Sequence, residues 1–272
     1  MYFQLNTTIN LKQKLDRLYH SYHRREYVHP DPLEFLYAYK DLRDREIAGL
    51  IASSLAYGRV ARILKSVSHI LNITGPSPYL FVKETSPDDF RHCFAGFRHR
   101  FADETHVASL LIGAKHVIEI YGSFYECLLA GMRQTDETII PAMSFFAEKL
   151  TESGGCGHLI PLPERGSACK RLNLFFRWMI RKDEVDPGGW DAISPSLLII
   201  PLDVHIHRIS LRLGLTARKQ ANMKTALEIT HGFRKLIPED PVRYDFALSR
   251  LGIRDDLNME DVLHEQGIGS FV

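Results

Sequence analysis

A run of two prolines and a glycine leaves a chain few options, and here one such run feeds directly into an apolar segment. Pro161, Pro163, Gly166 and Ser167 lie within seven residues. Fixed φ at the prolines and free φ at the glycine make this a tight connection, not the interior of a helix. From Leu172 onward the apolar positions are Leu172, Leu174, Phe175, Phe176, Trp178, Met179 and Ile180. Apolar on nearly every side, this segment reads as a helix buried between two layers. Lys170 falls at its start, with Ser167 as the expected N-cap. The same logic recurs at Ile200-Pro201-Leu202-Asp203, where an apolar run and a proline precede an aspartate at a helix start. A turn that delivers an amine and a helix start that delivers a carboxylate together make a candidate active site. The free N–H groups of such a turn favour an anion, phosphate first among them.

The rest of the chain reads as helices. Residues 9–24 carry Leu11, Leu15 and Leu18 at helical spacing. Asp31-Pro32 has the form of an N-cap followed by proline at the first helical position. Asp41 to Asp44 mark a break, after which 45–58 is a helix rich in small residues, ended by Gly58. Further helices are expected over 60–73, 107–121, 122–130, 141–150, 203–213 and 219–236, with one more from Pro238 that Gly252 ends. The segment 194–200 is open between a short strand and a helical turn. Residues 183–190 form an acidic turn whose Trp190 either packs over the connector or walls a pocket. With no period-two alternation and no repeat, the fold class is all-α.

No apolar run is long enough to span a bilayer, and no signal-like leader opens the chain. The four cysteines, Cys93, Cys127, Cys156 and Cys169, lack the paired spacing of a disulfide framework, zinc ribbon or iron–sulfur site, so a reducing cytoplasm is the expected setting. His205 and His207 point to different faces of one helix, and nothing completes a zinc set around Cys156, His158 and Cys169. No metal and no cofactor is expected. The net charge of +1 does not by itself call for nucleic acid. Its distribution bears on the question more closely. Arg208, Arg212, Arg218, Lys219 and Lys224 fall in a stretch with no acid, Lys170, Arg171, Arg177, Arg181 and Lys182 form a second cluster, and Arg91, Arg98 and Arg100 a third with His92 and His99. These are either solvated helix faces or a surface that tracks phosphates.

The run Pro201-Leu-Asp203-Val-His205-Ile-His-Arg208, continuing to Gly214, resembles the helix start that carries the catalytic aspartate in the helix-hairpin-helix DNA glycosylase superfamily. There a Val/Leu-Asp-Thr-His-Val-x-Arg pattern follows the hairpin. Asp203 falls on the aspartate, and Lys170 falls near the hairpin's end, where bifunctional members place their lysine. Gly166 lies where the hairpin's first glycine would lie, but Ala168 replaces the second. The lysine-to-aspartate separation is longer than in endonuclease III-like members and closer to archaeal 8-oxoguanine glycosylases. The iron–sulfur cysteines of endonuclease III are absent. The match covers about residues 160–255 and is weaker upstream. The whole chain also resembles a bacterial family of about this length labelled only as conserved and uncharacterised.

What the resemblance implies is a two-lobed helical fold with a central helical barrel. Residues 1–45 would pack with the C-terminal lobe, 46–165 form the barrel, and 166–272 carry the hairpin and the catalytic pair. It implies excision of a damaged base, an oxidised purine such as 8-oxoguanine, from double-stranded DNA, with no membrane and no partner protein. Asp203 would stabilise charge developing at C1′ of the deoxyribose, and Lys170 would attack there to form a Schiff base, permitting strand cleavage. Gly166, Ser167, Arg171, Tyr57, Arg59 and Arg208 would meet DNA. Tyr57 is read either as the aromatic that fills the gap left by an extruded base or as a core tyrosine. His205 and Asp245 would support the aspartate, the latter from the run Asp240-Pro-x-x-Tyr-Asp245-Phe-Ala-Leu, which resembles the superfamily's late helix. Trp190 is the base-pocket candidate. Two alternatives stand beside this: Asp203 as nothing more than an N-cap with Lys170 a surface lysine, and a catalytically silent nucleic-acid-binding protein with the same fold.

Overall fold

The computed structural model describes residues 2–253, with side chains from 10 to 251. Within them the chain is helical apart from one β-hairpin, in which β1 (Arg98–His99) pairs antiparallel with β2 (Ala102–Asp103). Two residues per strand are too few for an alternation to register in the sequence.

At the centre lies α2 (Leu42–Ser54), whose N-cap Asp41 accepts from Arg43 N at 2.8 Å. Every residue from Glu46 to Ser54 is buried. The small side chains expected there let a neighbour come close on each side. One neighbour is α9 (Lys170–Ile180), the apolar helix after the proline turn. A Cβ on Gly49 would lie 3.0 Å from the Phe175 ring, so the glycine sets how near the two helices pass. On the other side α3 (Val60–Thr74), α4 (Pro78–Glu84), α5 (Pro87–Cys93), α6 (Glu104–Tyr121), α7 (Phe124–Ala130) and α8 (Ile140–Thr151) pack together. Gly113 of α6 lies against the Leu150 carbonyl of α8, where an added Cβ would sit only 1.9 Å away. After α9 come α10 (Val204–Arg212), α11 (Met223–Arg234) and α12 (Asp245–Ile253). The first helix, α1 (Tyr2–Tyr22), packs on α12, where the Tyr244 hydroxyl donates to Asp16 at 2.6 Å. Buried apolar side chains from Leu15 to Leu251 form one connected core. Among the described residues no single helix is long and apolar enough to cross a membrane.

Several boundaries differ from the sequence reading. Asp31 does cap a helix, accepting from Leu33 N at 3.0 Å, but Pro32–Ala38 is a 3-10 helix. Asp41 starts α2 earlier than Arg45, and α2 stops at Ser54; Gly58, at φ 99°, belongs to the turn that follows. Residues 194–200 resolve into a 3-10 turn (Pro195–Leu197) and extended chain. The last helix starts at Asp245, not Pro238, and runs through Gly252 instead of ending there. The part of the expected C-terminal lobe beyond Ile253 lies outside the described residues.

Candidate active site

Lys170 and Asp203 come together. Lys170 Nζ is 3.5 Å from Asp203 Oδ2 and 3.5 Å from the Ala56 carbonyl just past α2. Asp203 divides its two oxygens. Oδ1 caps α10, accepting from His205 N and Ile206 N at 2.9 Å each, and Oδ2 faces the amine. Capping and pairing are therefore compatible roles, one for each oxygen. Partial exposure, 32% for Lys170 and 22% for Asp203, keeps the pair open to a ligand.

The turn that delivers Lys170 is built differently from the expectation. Gly166 adopts φ 75° at the end of a 3-10 turn (Pro163–Arg165). Ser167 is not the N-cap. That position is Cys169, in the left-handed region at φ 47°, with no side-chain cap. Ser167 Oγ instead accepts from Cys169 N at 3.2 Å, and its backbone bridges to Asn222 ahead of α11. A left-handed non-glycine residue costs roughly 1–2 kcal/mol. The chain bears that strain one residue before the lysine.

The pair opens on a cleft of about 690 Å³, a size that suits a small organic ligand. Its walls come from distant parts of the chain: the 30–32 turn, the 56–63 segment after α2, the Lys170 and Asp203 helix starts, and α12 with Asp245, Phe246 and Arg250. Behind them lies a buried ionic network. Arg177 donates to Asp245 and, at 3.2 Å, to Asp186; Arg181 binds Asp186, Asp183 at 2.8 Å and Asp240 at 3.0 Å. Arg250 reaches Asp31 at 2.7 Å and closes the cleft on the other side. Burial pushes the Asp245 carboxyl up to about 6, against the pull of Arg177 and with a further push from Asp203. At Asp183 burial works in the same upward direction, but the bond to His23 and the Arg181 charge outweigh it and hold the carboxyl well below its usual range.

The network corrects one part of the sequence reading. Arg177 and Arg181 lie neither on a solvated face nor on a phosphate-tracking surface, the two readings their cluster left open, because both are buried and paired with aspartates. In the third basic cluster His99 is buried too, and Arg218 of the first pairs with Glu228 at 2.6 Å. Arg171 is turned inward, donating to the Ser54 carbonyl at 3.1 Å and to that of His158, with its guanidinium 5.1 Å from the Tyr57 ring centre. Tyr57 is held rather than free. Its hydroxyl donates to the His99 carbonyl at 3.1 Å and lies 2.9 Å from His158 Nε2, so the ring is fixed in place half-buried, where it still lines the cleft. Trp190 is fully buried, does not line the cleft, and donates to Glu46 Oε1 at 2.8 Å. Packing is its role, and the pocket assignment fails because its one polar atom is satisfied inside the core. His205 lines the cleft half-buried, while Arg59 and Arg208 stand exposed outside it.

A second opening of about 390 Å³ adjoins the first, and Tyr57 and Lys170 line both. It is bounded by Phe101 and His158, which sequence reasoning did not select. Burial, helped by the charges of Arg171, His106 and His99, pushes His158 down and favours a neutral imidazole beside the Tyr57 hydroxyl.

Among the described residues one group, His23, Asp183 and Asp186, brings metal-ligand atoms together. Its carboxylates are already neutralised by Arg177 and Arg181, a donor set that leaves no vacancy for a cation. Comparison with known proteins gives one match: residues 31–254 fit the family model described as "Protein of unknown function (DUF2400)". No curated protein and no solved structure matches the chain.

Proposed function

We propose that this chain, which belongs to the DUF2400 family, is a DNA base-excision glycosylase with lyase activity, built on a helix-hairpin-helix glycosylase-like fold. The observation that carries the reading is the meeting of Lys170 Nζ and Asp203 Oδ2 at 3.5 Å on the wall of a cleft of about 690 Å³, ample for a nucleobase. Both groups sit at helix starts, where the backbone fixes them. Their sequence context is that of the superfamily's catalytic lysine and aspartate.

The chemistry follows from the two groups. Lys170, once its ammonium has given a proton to water, attacks C1′ while the C1′–N bond breaks and its electron pair leaves with the base, which then takes up a proton. The Asp203 carboxylate stabilises the positive charge that develops at C1′. Ring opening gives a Schiff base between Nζ and C1′. Loss of a proton from C2′ then expels the 3′ phosphate, and water releases the sugar fragment and restores the lysine. Asp245 and Arg177 behind the pair fix the carboxylate's surroundings. The oxidised-purine class, with 8-oxoguanine first, comes from the likeness of the lysine-to-aspartate spacing to archaeal 8-oxoguanine glycosylases.

A second reading, a catalytically silent nucleic-acid-binding protein, is supported by the fact that Asp203 is fully employed as cap and ion-pair partner without any substrate. Borohydride trapping on a panel of damaged duplexes, with Lys170→Ala alongside, separates the two. A covalent adduct on an 8-oxoguanine duplex that vanishes in the variant supports the enzyme. Adducts on abasic duplexes alone support a lyase without that base specificity. Duplex binding with no adduct on any substrate sinks the lysine mechanism and favours the silent module.

A further inference from the structure

Neutral His158 has only one tautomer open to it. A carbonyl can only accept, so the Tyr57 hydroxyl gives its single proton to the His99 carbonyl at 3.1 Å. The 2.9 Å contact between the same hydroxyl and His158 Nε2 must then run the other way, with Nε2–H as the donor. The second ring nitrogen, Nδ1, is left with a lone pair. Burial and the charges of Arg171, His106 and His99 favour this neutral form. No hydrogen bond among the described residues engages Nδ1. The ring itself is held by its neighbours. Phe101 of the hairpin turn, where Arg100 takes φ 54°, meets it edge-to-face at 6.4 Å, and the His106 ring lies 5.5 Å away. Arg171 holds the His158 carbonyl from below. The result is a fixed, uncharged proton acceptor on the wall of the smaller opening.

Lys170 stands where the two openings meet. It lines both, as do Ala56, Tyr57, Leu202 and Ala221, whereas Asp203 lines the larger alone and His158 the smaller alone. A nucleotide bonded to Nζ through C1′ must divide between them. With the base in the larger cleft, beside the carboxylate that acts on the C1′–N bond, the C2′ side of the opened sugar lies toward the smaller one. Strand cleavage there needs a base for the C2′ proton, and Asp203 stands on the other side of the lysine. We propose that His158, through Nδ1, removes the C2′ proton from the Lys170 Schiff base. This step rests on Lys170 as the nucleophile, the reading given above. The C2′–H electron pair forms C1′=C2′ as the iminium pair moves onto Nζ. The enamine then expels the 3′ phosphate by breaking C3′–O, and Nδ1 holds the proton until water takes it. Asp203 thus serves base loss and His158 serves strand cleavage, one group for each opening.

The test uses the full chain under single turnover on a duplex with a preformed abasic site, which requires no damaged base. Borohydride trapping reads the Schiff base and gel mobility reads strand cleavage, in the unsubstituted protein, His158→Ala and His158→Gln. Glutamine keeps an amide N–H for the Tyr57 hydroxyl, but its amide is no base near neutral pH. Both variants should still form the trapped adduct, while cleavage falls about 10²-fold or more. Free imidazole should restore part of the cleavage in His158→Ala, where the deleted ring leaves room for it. Cleavage at the parent rate by His158→Gln would overturn the proposal. So would trapping and cleavage falling together in a variant that melts at the parent temperature, because His158 would then only shape the site. No adduct with the unsubstituted protein would overturn the Lys170 reading and this step with it; adducts with undiminished cleavage in both variants would sink the His158 assignment alone.

Discussion

Asp203 carries two duties on two oxygens, and substitution can separate them. Asparagine keeps an oxygen for the His205 and Ile206 N–H groups and caps helices about as well as aspartate. It loses the charge that faces Lys170. Because both side chains are partly exposed and 3.5 Å apart, that pair is worth under about 1 kcal/mol. Asp203→Asn should therefore stay within about 1 kcal/mol of the parent, whereas Asp203→Ala also loses the cap, a further cost of about 1 kcal/mol. For a chain of this size that step is about 2–4 °C in melting temperature. On the proposed glycosylase reading the two should behave alike, because each would remove the charge proposed to stabilise C1′, and a loss of about 10²–10³-fold in single-turnover excision is expected. Urea unfolding followed through the buried Trp178 and Trp190 gives the stability arm. Excision by Asp203→Asn at the parent rate would show that the carboxylate is only a cap. Equal destabilisation by both variants would refute the capping geometry.

Three further outcomes are expected. Removing Arg177 leaves Asp245 buried without its cation and Asp186 with Arg181 alone, so Arg177→Ala should lose about 3–5 kcal/mol in urea unfolding; a loss under about 1 kcal/mol would mean that Asp245 does not depend on it. Burial pushes Glu46 up to about 7 from 4.5, against the N–H groups of Phe124, Trp190 and Tyr125. The folded state then holds a proton that the unfolded state has released, so this contribution is full below about 4.5 and is lost as pH rises through about 7, by at most about 3 kcal/mol. Glu46→Gln should flatten that stretch of the stability–pH curve, and an unchanged slope would refute the assignment. Gly113→Ala would place a Cβ 1.9 Å from a backbone carbonyl, so α6 and α8 must part; a drop of about 3 kcal/mol or more is expected, and near-parent thermal stability would contradict the packing.

The parts of the site that could be read from sequence are those whose cause is local. Lys170 follows a turn spelled by Pro161, Pro163 and Gly166, and Asp203 precedes a helix start after Pro201. Both signals act over a few residues, and both groups stand where those signals put them. Burial is not local, and what stayed open follows it. The sequence could not choose between packing and pocket roles for Trp190 and Tyr57, because nothing nearby announces Glu46, His99 or His158 as their partners. Arg177 and Arg181 looked like a basic face because the aspartates that neutralise them lie on a later turn and, for Asp240 and Asp245, beyond two further helices. Phe101 carries no mark in the sequence, because one aromatic in a six-residue hairpin has no period to detect. A positive-φ arginine carries no sequence mark at all.

The Arg250–Asp31 contact that closes the cleft joins residues 219 apart in the chain. The cost of closing a loop grows with its length, so contacts of this span are slow to form unless the elements between them bring the ends together. The helices from α2 to α9 can assemble their shared core before α12 arrives, but the cleft has no far wall until it does. In amide hydrogen exchange α12 should therefore open at lower free energy than α2, and a chain that has not yet docked its last helix would present Lys170 to water instead of to a substrate. On the proposed reading, Lys170 meets a complete pocket only once the last helix has docked.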